Sequence, residues 1–476
     1  MKPLWLGLVC LLTLTAAAPA PEASWYVIMA DNGERIGHAS QRVTATATGR
    51  ETVQDQEVVL QEKGSAVSLV TTRTVTTEDV SGAVRTILQS NKTGSGLTRH
   101  LAVIGPGRAV ITRETASGKH TATVALPPTL RFDGGDALLK TWAHGRTPAI
   151  EFESLDVDGM MIDHVVIEAL PPSADSPPGG FAALRKRYEN GQLASIARLT
   201  LNADRRIIAV AQPMFGTTIT LKASTREAAL APHPPYRVIG RVMTKSLFRV
   251  LPSARRGHIR YRFGFRDGIQ FPMPQTGEQK ATAGAGFTVI DLCETCGPGL
   301  PTDAAYLADA RKPTAWLQSD HRRLKAIADP IARQRVSDAR KMELLLAKAR
   351  PYLGRIDFVG HYSALDALNR RAGDCTEAAV ILAALGRAAG IPTKVANGLV
   401  YSREKYHGVS NAFLPHSWTL AFVDGQWRSF DLALDDFDAT HLAISVGDGD
   451  SRSLSAASQL GSLLVWQEMK EVRTRP

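Results

Sequence analysis

The chain has 476 residues, a length that allows roughly three domains at about 150 residues each. Apolar residues make up 44% and charged residues 21%, proportions that are typical of globular proteins and exclude a largely disordered chain. Lys and Arg outnumber Asp and Glu by 56 to 46, which gives a net charge of +10. So small an excess favours anionic surfaces, but it is not the pattern of a nucleic-acid-binding protein, and we predict no nucleic-acid partner.

The first twenty residues are typical of a secretory signal peptide. Lys2 gives a minimal positive start, residues 4–14 form an apolar run, and small residues follow at 15–18. The run is too short for a transmembrane segment, and no later stretch reaches the roughly 18 apolar residues that a span needs. We therefore predict that residues 1–20 are removed and that the protein is exported. The periplasm is the favoured location, and the extracellular space is the alternative.

Residues 24–231 predict a β-rich N-terminal domain of many short antiparallel strands. Apolar and polar residues alternate, Thr and Val are abundant, and turn signals such as Asp31-Asn32-Gly33 recur. A stretch rich in Pro, Gly and Ser at 171–180 predicts an exposed loop. A second break at 232–235 precedes a small β segment or linker, which we assign to residues 236–300.

The small β segment carries a row of basic side chains. Arg260, Arg262 and Arg266 alternate with apolar residues, a pattern that predicts a half-buried strand with a basic outer face. A solvated strand face is the favoured interpretation. A contact with an anionic cell-envelope surface, such as a cell-wall polymer or phospholipid headgroups, stays open.

Removal of residues 1–20 would leave three of the four cysteines. Cys293 and Cys296 are three positions apart, and in an oxidising compartment a close pair can form a disulfide. The loop sequence Gly297-Pro298-Gly299 argues against a redox helix, and too few further ligands are available for a zinc site. We predict a disulfide, with two reduced, buried thiols as the open alternative. Cys375 is then the odd cysteine.

From residue 302 onward helical periodicity replaces alternation, and residues 301–450 are assigned to one catalytic domain. Asp374-Cys375-Thr376-Glu377 has the form of a capping box, and it opens a helix that ends at Gly390. Cys375 therefore lies in the first helical turn, where free backbone amides and the positive end of the dipole stabilise a thiolate. We expect its pKa to lie below the usual value of about 8.5. The same amides are suited to bind an oxyanion.

A predicted hairpin supplies a base for this thiol. His416 opens an apolar strand, Asp424-Gly425 is a strong two-residue turn signal, and a second strand returns from residue 426. In the register that this turn dictates, Asp431 lies opposite Trp418 and one diagonal step from His416 on the same face.

These residues together predict a thiol acyl-transfer site. Cys375 would be the nucleophile, His416 the base, and Asp431 the residue that orients the base. No cofactor and no metal ligand set is predicted. The acidic glycine turn with Asp448 and Asp450 is a weak candidate for a cation site.

Further motifs stand around the three residues. They are Ser363-Ala364-Leu365-Asp366-Ala367-Leu368, Gly373-Asp374-Cys375-Thr376-Glu377-Ala378-Ala379, Ala384-Leu385-Gly386-Arg387-Ala388-Ala389-Gly390-Ile391-Pro392, Gly398-Leu399-Val400-Tyr401, His416-Ser417-Trp418, Gly425-Gln426-Trp427-Arg428-Ser429-Phe430-Asp431 and Asp438-Ala439-Thr440-His441. In combination, over about residues 320–450, they resemble the bacterial branch of the transglutaminase-like superfamily.

The resemblance implies a papain-like α+β core whose Cys-His-Asp triad falls on Cys375, His416 and Asp431. It also implies that an N-terminal antiparallel β-rich domain is a common companion in exported members. Two positions depart from the pattern: many relatives have a His where this chain has Ala378, and a Glu where it has Leu420. His441 lies in a matched motif without a catalytic role, and we predict a structural hydrogen bond for it.

We therefore expect an exported cysteine enzyme that acts on amide bonds of protein or peptide substrates. Hydrolysis, as in a peptidase or amidase, is slightly favoured over protein cross-linking because water needs no second binding site. The alternative is a cell-envelope binding or scaffolding protein that keeps the fold without catalysis. Residues 451–476 are assigned to a helical C-terminal tail.

Overall fold

The computed structural model describes residues 23–61, 67–93, 96–143, 145, 147–172, 176–214, 216–237, 242–356, 361–404, 409–434 and 436–472. The predicted signal peptide, 1–20, lies outside the described residues, as do three residues of the loop predicted at 171–180. The chain divides near residue 238 into two compact units. We call the described residues before this point the sheet unit, and those after it, which include the predicted catalytic domain, the catalytic-core unit. None of the helices in the described ranges is long and apolar enough to cross a membrane.

The sheet unit is built on a single antiparallel sheet of fourteen strands in the described ranges. The strands are β1 (Ser24–Ala30), β2 (Arg35–Thr46), β3 (Gly49–Leu60), β4 (Ser68–Asp79), β5 (Val84–Thr93), β6 (Gly96–Gly105), β7 (Arg108–Thr115), β8 (Gly118–Ala125), β9 (Ala149–Asp156), β10 (Met161–Ala169), β11 (Phe181–Glu189), β12 (Gln192–Leu201), β13 (Ile207–Met214) and β14 (Thr217–Ser224). Two short helices accompany them, α1 (Asp136–Thr141) and α2 (Arg226–Leu230).

Neighbouring strands of this sheet are also neighbours in the sequence, except at one place, where the first strand, β1, pairs with the fourteenth, β14. The strand order runs from β8 back to β1, continues to β14, and then runs back to β9. The sheet also curls, because Ile87, Ala102 and Ile111 from β5–β7 share an apolar cluster with Leu155 of β9. A second cluster on β9–β13 packs against Leu139 of α1. The predicted antiparallel β-rich region is therefore confirmed, with longer strands than the sequence suggested.

One row of polar side chains crosses the inner face of β2–β7. Cross-strand pairing aligns the residues Gln41, Gln54, Thr74, Gln89, His100 and Arg113, which we call the polar row. Gln89 and His100 are each only 1% exposed. Within the described part of the chain, Gln41 Oε1 and Gln89 Nε2 have no hydrogen-bond partner. The sequence did not predict this row, because it appears only once the register of six strands is known.

The catalytic-core unit combines seven helices with three small sheets over the ranges that the structure describes. Its helices are α3 (Pro252–Arg255), α4 (Ala304–Asp309), α5 (Arg322–Ala332), α6 (Asp338–Ala349), α7 (Ala364–Arg370), α8 (Cys375–Ala388) and α9 (Ser451–Leu463). Its strands are β15 (Thr244–Lys245), β16 (Ile259–Phe265), β17 (Gln279–Gly284), β18 (Phe287–Leu292), β19 (Arg355–Ile356), β20 (Ala372–Gly373), β21 (Thr393–Ser402), β22 (Ala412–Val423), β23 (Gln426–Phe430), β24 (Leu442–Gly447) and β25 (Leu464–Glu471).

Helix α8 forms the centre of this unit. Residues 376–387 are all buried, and the helix packs against α5, α6 and α7 on one side and against β22 on another. Thr419 of β22 donates its hydroxyl to the carbonyl of Ala379, 3.0 Å away, which joins the sheet to the second turn of α8. The sheet runs β15-β22-β21-β24, and β23 pairs with β22. A helix with an apolar circumference is typical of such a central position.

The C-terminal residues differ from the helical tail that the sequence suggested for 451–476. Helix α9 ends at Leu463, and β25 follows it and pairs antiparallel with β16. The segment assigned to 236–300 and the end of the chain therefore share one sheet, in the order β17-β18-β16-β25. Local periodicity could not show this pairing, because its two strands are roughly 200 residues apart in the sequence.

The arginines of β16 are largely engaged within the unit. Arg260 forms a bidentate pair with Asp291 at 2.7 and 3.0 Å. Arg262 lies over the ring of Phe287, 3.6 Å from its centroid, and donates to Gln467. These contacts favour the interpretation of the row as an ordinary polar strand face.

Candidate active site

The predicted capping box is present at the start of α8. Asp374 has extended backbone angles and accepts the backbone N–H of Thr376 at 2.9 Å, and it also takes part in the reciprocal box with Glu377. The Glu377 carboxylate returns to the backbone N–H of Asp374 at 3.1 Å and also accepts the N–H of Tyr362 at 3.0 Å. These bonds fix the chain that enters the helix, and Cys375 is the first helical residue after the cap.

The predicted hairpin register is confirmed. Val423 pairs with Gln426, and the same register continues to Thr419 and Phe430. Asp424 and Gly425 both have positive φ, 50° and 81°, as a two-residue turn that follows the strand twist requires. Strand β23 ends at Phe430, so Asp431 leaves the sheet at the position that brings it back toward His416.

His416 and Asp431 are in direct contact. The Nε2 atom of His416 lies 2.6 Å from Oδ2 of Asp431, and both side chains are buried. The ring of His416 stacks at 6.1 Å on that of Trp418, two positions along the same strand face. With Nε2 engaged by the carboxylate, Nδ1 is the nitrogen that remains available to exchange a proton with another group.

The Asp431 carboxylate is saturated with donors. Its Oδ1 accepts the backbone N–H groups of Ala433 and Leu434 at 2.8 and 3.0 Å, and its Oδ2 faces two imidazole rings. Burial alone would raise the pKa of this carboxyl group. The charge of His416 and the hydrogen bonds from His416 and His441 outweigh burial and hold that pKa far below its usual range. Asp431 is therefore an anion at any physiological pH.

Cys375 lies beside the same strand. The backbone N–H of Ser417, the residue after His416, faces the sulfur as a hydrogen-bond donor. No hydrogen bond joins the Cys375 sulfur directly to the His416 ring among the described residues. The structure thus pairs His416 with Asp431 and brings Cys375 to the strand that carries His416.

The environment of the thiol differs from the one that the sequence predicts. Burial of Cys375, and next the Asp374 carboxylate, raise the thiol pKa above its usual value, and the N–H of Ser417 acts in the opposite direction without outweighing them. The expected lowering of the thiol pKa by the helix start is thus not found, because burial of the sulfur, and next the negative charge of the N-cap Asp374, outweigh it. In this conformation the thiol is protonated, and a base must take its proton when it reacts.

His441 is the residue of the site that the sequence did not assign. Its Nε2 lies 3.1 Å from Oδ2 of Asp431, and its Nδ1 lies 3.1 Å from the carbonyl oxygen and 3.4 Å from Oδ1 of Asp438. The signal was present in the motif Asp438-Ala439-Thr440-His441. Its partner could not be inferred, because no strand register relates His441 to Asp431.

His416, Asp431 and His441 are also the group of described residues whose geometry suggests a metal site. Ligand atoms of a tetrahedral zinc ion lie about 3.3 Å apart, given bonds of about 2.0 Å. The 2.6 Å between His416 Nε2 and Asp431 Oδ2 is instead the separation of a strong hydrogen bond. The contacts within this group are therefore hydrogen bonds.

Two further cysteines in the described ranges lie apart from this site in the sequence and form a pair. The sulfur atoms of Cys293 and Cys296 are at bonding distance and their Cα atoms are 5.2 Å apart, and Cys375 is the free cysteine among the described residues. The loop they close follows β18, and the backbone N–H of Cys293 donates to the carbonyl of Glu278.

Comparisons with known proteins agree with the geometry of α8 and its hairpin. Residues 325–432 match the family model of the transglutaminase-like superfamily. This part of the chain is therefore a transglutaminase-like domain, and it follows a large antiparallel β-rich region in an α+β protein. No curated protein matches the chain.

Three solved structures are similar to parts of the chain. A beta-barrel-like protein of a domain of unknown function from Brucella abortus is 12% identical, with a TM-score of 0.34, and the match covers 44% of this chain and 98% of that one. A candidate cysteine protease from Cytophaga hutchinsonii is 16% identical, with a TM-score of 0.26, over 45% of this chain and 87% of its own. A candidate protease from Parabacteroides distasonis is 14% identical, with a TM-score of 0.19, over 56% and 63%.

Proposed function

We propose that the protein is an exported thiol-dependent acyl-transfer enzyme that acts on amide bonds of protein or peptide substrates. Cys375 is the nucleophile, His416 the general base and acid, and Asp431 the residue that orients His416. The observation that carries the proposal is the buried 2.6 Å contact between His416 and Asp431, on the strand whose Ser417 N–H faces the Cys375 sulfur.

The chemistry follows from the protonated state of the thiol. His416 Nδ1 takes the proton of Cys375 as the sulfur adds to the amide carbonyl, and a C–S bond forms while the carbonyl oxygen becomes an oxyanion. The backbone N–H groups of the first turn of α8 are donors suited to that oxyanion. The C–N bond then breaks, His416 returns the proton to the leaving amine, and a thioester remains on Cys375.

The second half of the reaction decides the kind of enzyme. Water attacking the thioester gives a carboxylic acid and free Cys375, which is peptidase or amidase chemistry. An amine side chain attacking it gives a new amide, which is protein cross-linking. We favour hydrolysis, because it needs no second binding site beside the thiol. The competing proposal is a non-catalytic envelope protein that retains this fold.

Intact-mass spectrometry tests the proposal directly. The full chain is incubated with p-nitrophenyl acetate, an activated acyl donor, and a mass increase of one acetyl group is expected on wild type and not on Cys375→Ala. His258→Gln is the matched control, since His258 also contacts an aspartate, Asp291 at 2.7 Å, but outside the site. This control should acylate as wild type does.

Two results would argue against the enzyme. Equal acylation of wild type and Cys375→Ala would show that another nucleophile reacts, and an unmodified wild type would favour the non-catalytic protein. Addition of glycine methyl ester to the acylated enzyme separates the two activities: acetylglycine methyl ester indicates transfer to amines, and acetate alone indicates hydrolysis.

A further inference from the structure

Two histidines share one carboxylate oxygen in the candidate site. His416 Nε2 and His441 Nε2 lie 2.6 and 3.1 Å from Oδ2 of Asp431, and the two rings meet edge to face with centroids 5.7 Å apart. The second nitrogen of His441 faces Asp438. The four side chains therefore form a chain of contacts, Asp438–His441–Asp431–His416, which we call the acid–imidazole chain.

The sheet builds this arrangement around a glycine. Gly398 of β21 pairs with His416 of β22 on one side and with Ala443 of β24 on the other. A Cβ atom at Gly398 would lie 1.8 Å from the carbonyl oxygen of Leu442, so the close approach of β24 requires the absence of a side chain. Leu442 directly follows His441, and the approach of β24 therefore carries His441 to Asp431.

His441 is held by acidic groups on both sides. Asp431 contacts it from the end of β23 and Asp438 from the preceding turn, while Arg255 of α3 neutralises part of Asp438 in an ion pair. Tyr261 of β16 reaches the same turn, but its hydroxyl donates to the carbonyl of Ala439 and its pKa is raised well above the usual value by burial. Besides the two carboxylates, the titratable group that meets the ring among these contacts is His416, edge to face.

The electrostatic result is a cationic His441 at neutral pH. Burial alone would lower its pKa, but the hydrogen bonds and charges of Asp431 and Asp438 outweigh burial and raise it to about 9. An imidazolium donates at both ring nitrogens, to Oδ2 of Asp431 and to the carbonyl oxygen of Asp438, each at 3.1 Å. The backbone N–H of Asp438, 3.2 Å from Nδ1, donates to the ring when Nδ1 has lost its proton, so both protonation states have a partner at Nδ1.

We propose that His441 is a positioning residue that holds Asp431 in place and offsets its negative charge, and so sets how strongly His416 holds a proton. The inference rests on the proposed function, in which His416 both takes and returns a proton. A base that faced an uncompensated carboxylate would retain the proton of the thiol too strongly to return it to the leaving amine. His441 offsets that charge at the Asp431 oxygen that both imidazole rings share.

Histidine NMR of the full chain, labelled with ¹³C at Cε1, tests the proposal without any substrate. His441→Gln keeps a neutral donor and removes the charge, and the Cε1 resonance of His416 at neutral pH should then move toward that of the protonated ring, because a nearby positive charge is lost. His441→Phe removes the donor as well, and it should broaden or split the His416 resonance because Asp431 then keeps only its two backbone donors beside His416. His258→Gln should leave His416 unchanged.

The outcomes separate this inference from the proposed function. An unchanged His416 titration in folded His441→Gln would overturn the inference, even if p-nitrophenyl acetate acylates Cys375 normally. If His441→Gln does not fold, the wild type decides: the His416 resonance should move a second time near pH 9, where His441 loses its proton. A single inflection would equally overturn the inference. Absence of acylation would leave these titrations intact and would contradict the proposed function alone.

Discussion

The two units of the molecule bury polar side chains in opposite ways, and two glutamines show the difference. Gln89, in the polar row of the sheet unit, is 1% exposed, and its Nε2 has no partner in the described part of the chain. Gln279, in the catalytic-core unit, is fully buried and satisfied: its Nε2 donates to the carbonyls of Pro274 and Ala443, and its Oε1 accepts the N–H of Ala443.

The difference concerns how firmly buried hydrogen bonds fix the positions of the strands and loops in each unit. An amide with all its partners inside the chain fixes the elements that it joins, and Gln279 thereby ties the loop before β17 to β24, the strand that follows His441. An amide without a partner fixes nothing and costs free energy on burial. Gln279 thus helps to hold the catalytic-core unit in one arrangement, whereas the buried Nε2 of Gln89 adds no such constraint to the polar row.

The largest expected effect is on catalysis. Asp431→Asn should keep the fold and reduce the acylation rate of Cys375 by about three to four orders of magnitude, because the amide favours the wrong tautomer of His416. Stopped-flow release of p-nitrophenol measures this rate. Asp291→Asn is the matched control, since it alters the contact between His258 and Asp291, which lies outside the site. Near-wild-type acylation by Asp431→Asn would show that the contact with His416 has no catalytic role.

The glutamine pair tests the comparison itself. Gln279→Met should lower the free energy of unfolding by about 2–4 kcal/mol, because three partner groups lose their hydrogen bonds in a dry interior. Gln89→Met should change it by about 1 kcal/mol or less, or stabilise the protein, because the apolar side chain removes an unpaired amide. Urea unfolding of the full chain, followed by tryptophan fluorescence, measures both. An equal cost for the two variants would mean that Gln89 has a partner.

Stability should fall on both sides of neutral pH. His441, with its pKa raised to about 9, contributes stability that is complete below about pH 6.5 and is lost as the pH rises to about 9. The loss is on the order of 3 kcal/mol. Burial alone would raise the pKa of Asp438, but the bond to His441 is the main effect that outweighs burial and lowers this pKa to about 2. Asp438 therefore contributes stability above about pH 4, and this contribution is lost toward pH 2.

Calorimetry of the full chain measures this dependence. The unfolding transition whose midpoint temperature Gln279→Met shifts is that of the catalytic-core unit. In wild type, this midpoint temperature should decrease as the pH is raised from 6.5 to 9. His441→Gln should flatten the profile over that range, and it should also reduce the loss of stability toward pH 2, because Asp438 then lacks its bond to the imidazolium. A wild-type midpoint that is constant from pH 6.5 to 9 would show that His441 is not held as a cation.

The smallest effect is expected from the pair Cys293 and Cys296. Reduction of a disulfide that closes so short a loop should cost about 2 kcal/mol at most. The bond itself is tested by alkylation of the protein without residues 1–20: one label under native conditions should rise to three after reduction and unfolding. Three labels in unreduced, denatured protein would indicate free thiols.

Sequence reasoning reached the parts of the site that depend on local rules. The capping box at Asp374 follows from helix-end chemistry, and the register that leads to Asp431 follows from the turn at Asp424. The contact between Asp431 and His441 depends on the close approach of β24 at Gly398, which has no periodic signal. The thiol pKa departs from its usual value in the direction opposite to the prediction, since the dipole of α8 was weighed without the burial of the sulfur and the charge of its own N-cap.

The last strand of the chain has a consequence for biosynthesis. Until residues 464–471 have been made, β16 has an open edge in the sheet that β25 later completes. A chain that stops short of this strand exposes that edge even though it contains Cys375, His416 and Asp431. The catalytic-core unit therefore completes its fold only after β25 has been made, and a product truncated before β25 is a target for quality control.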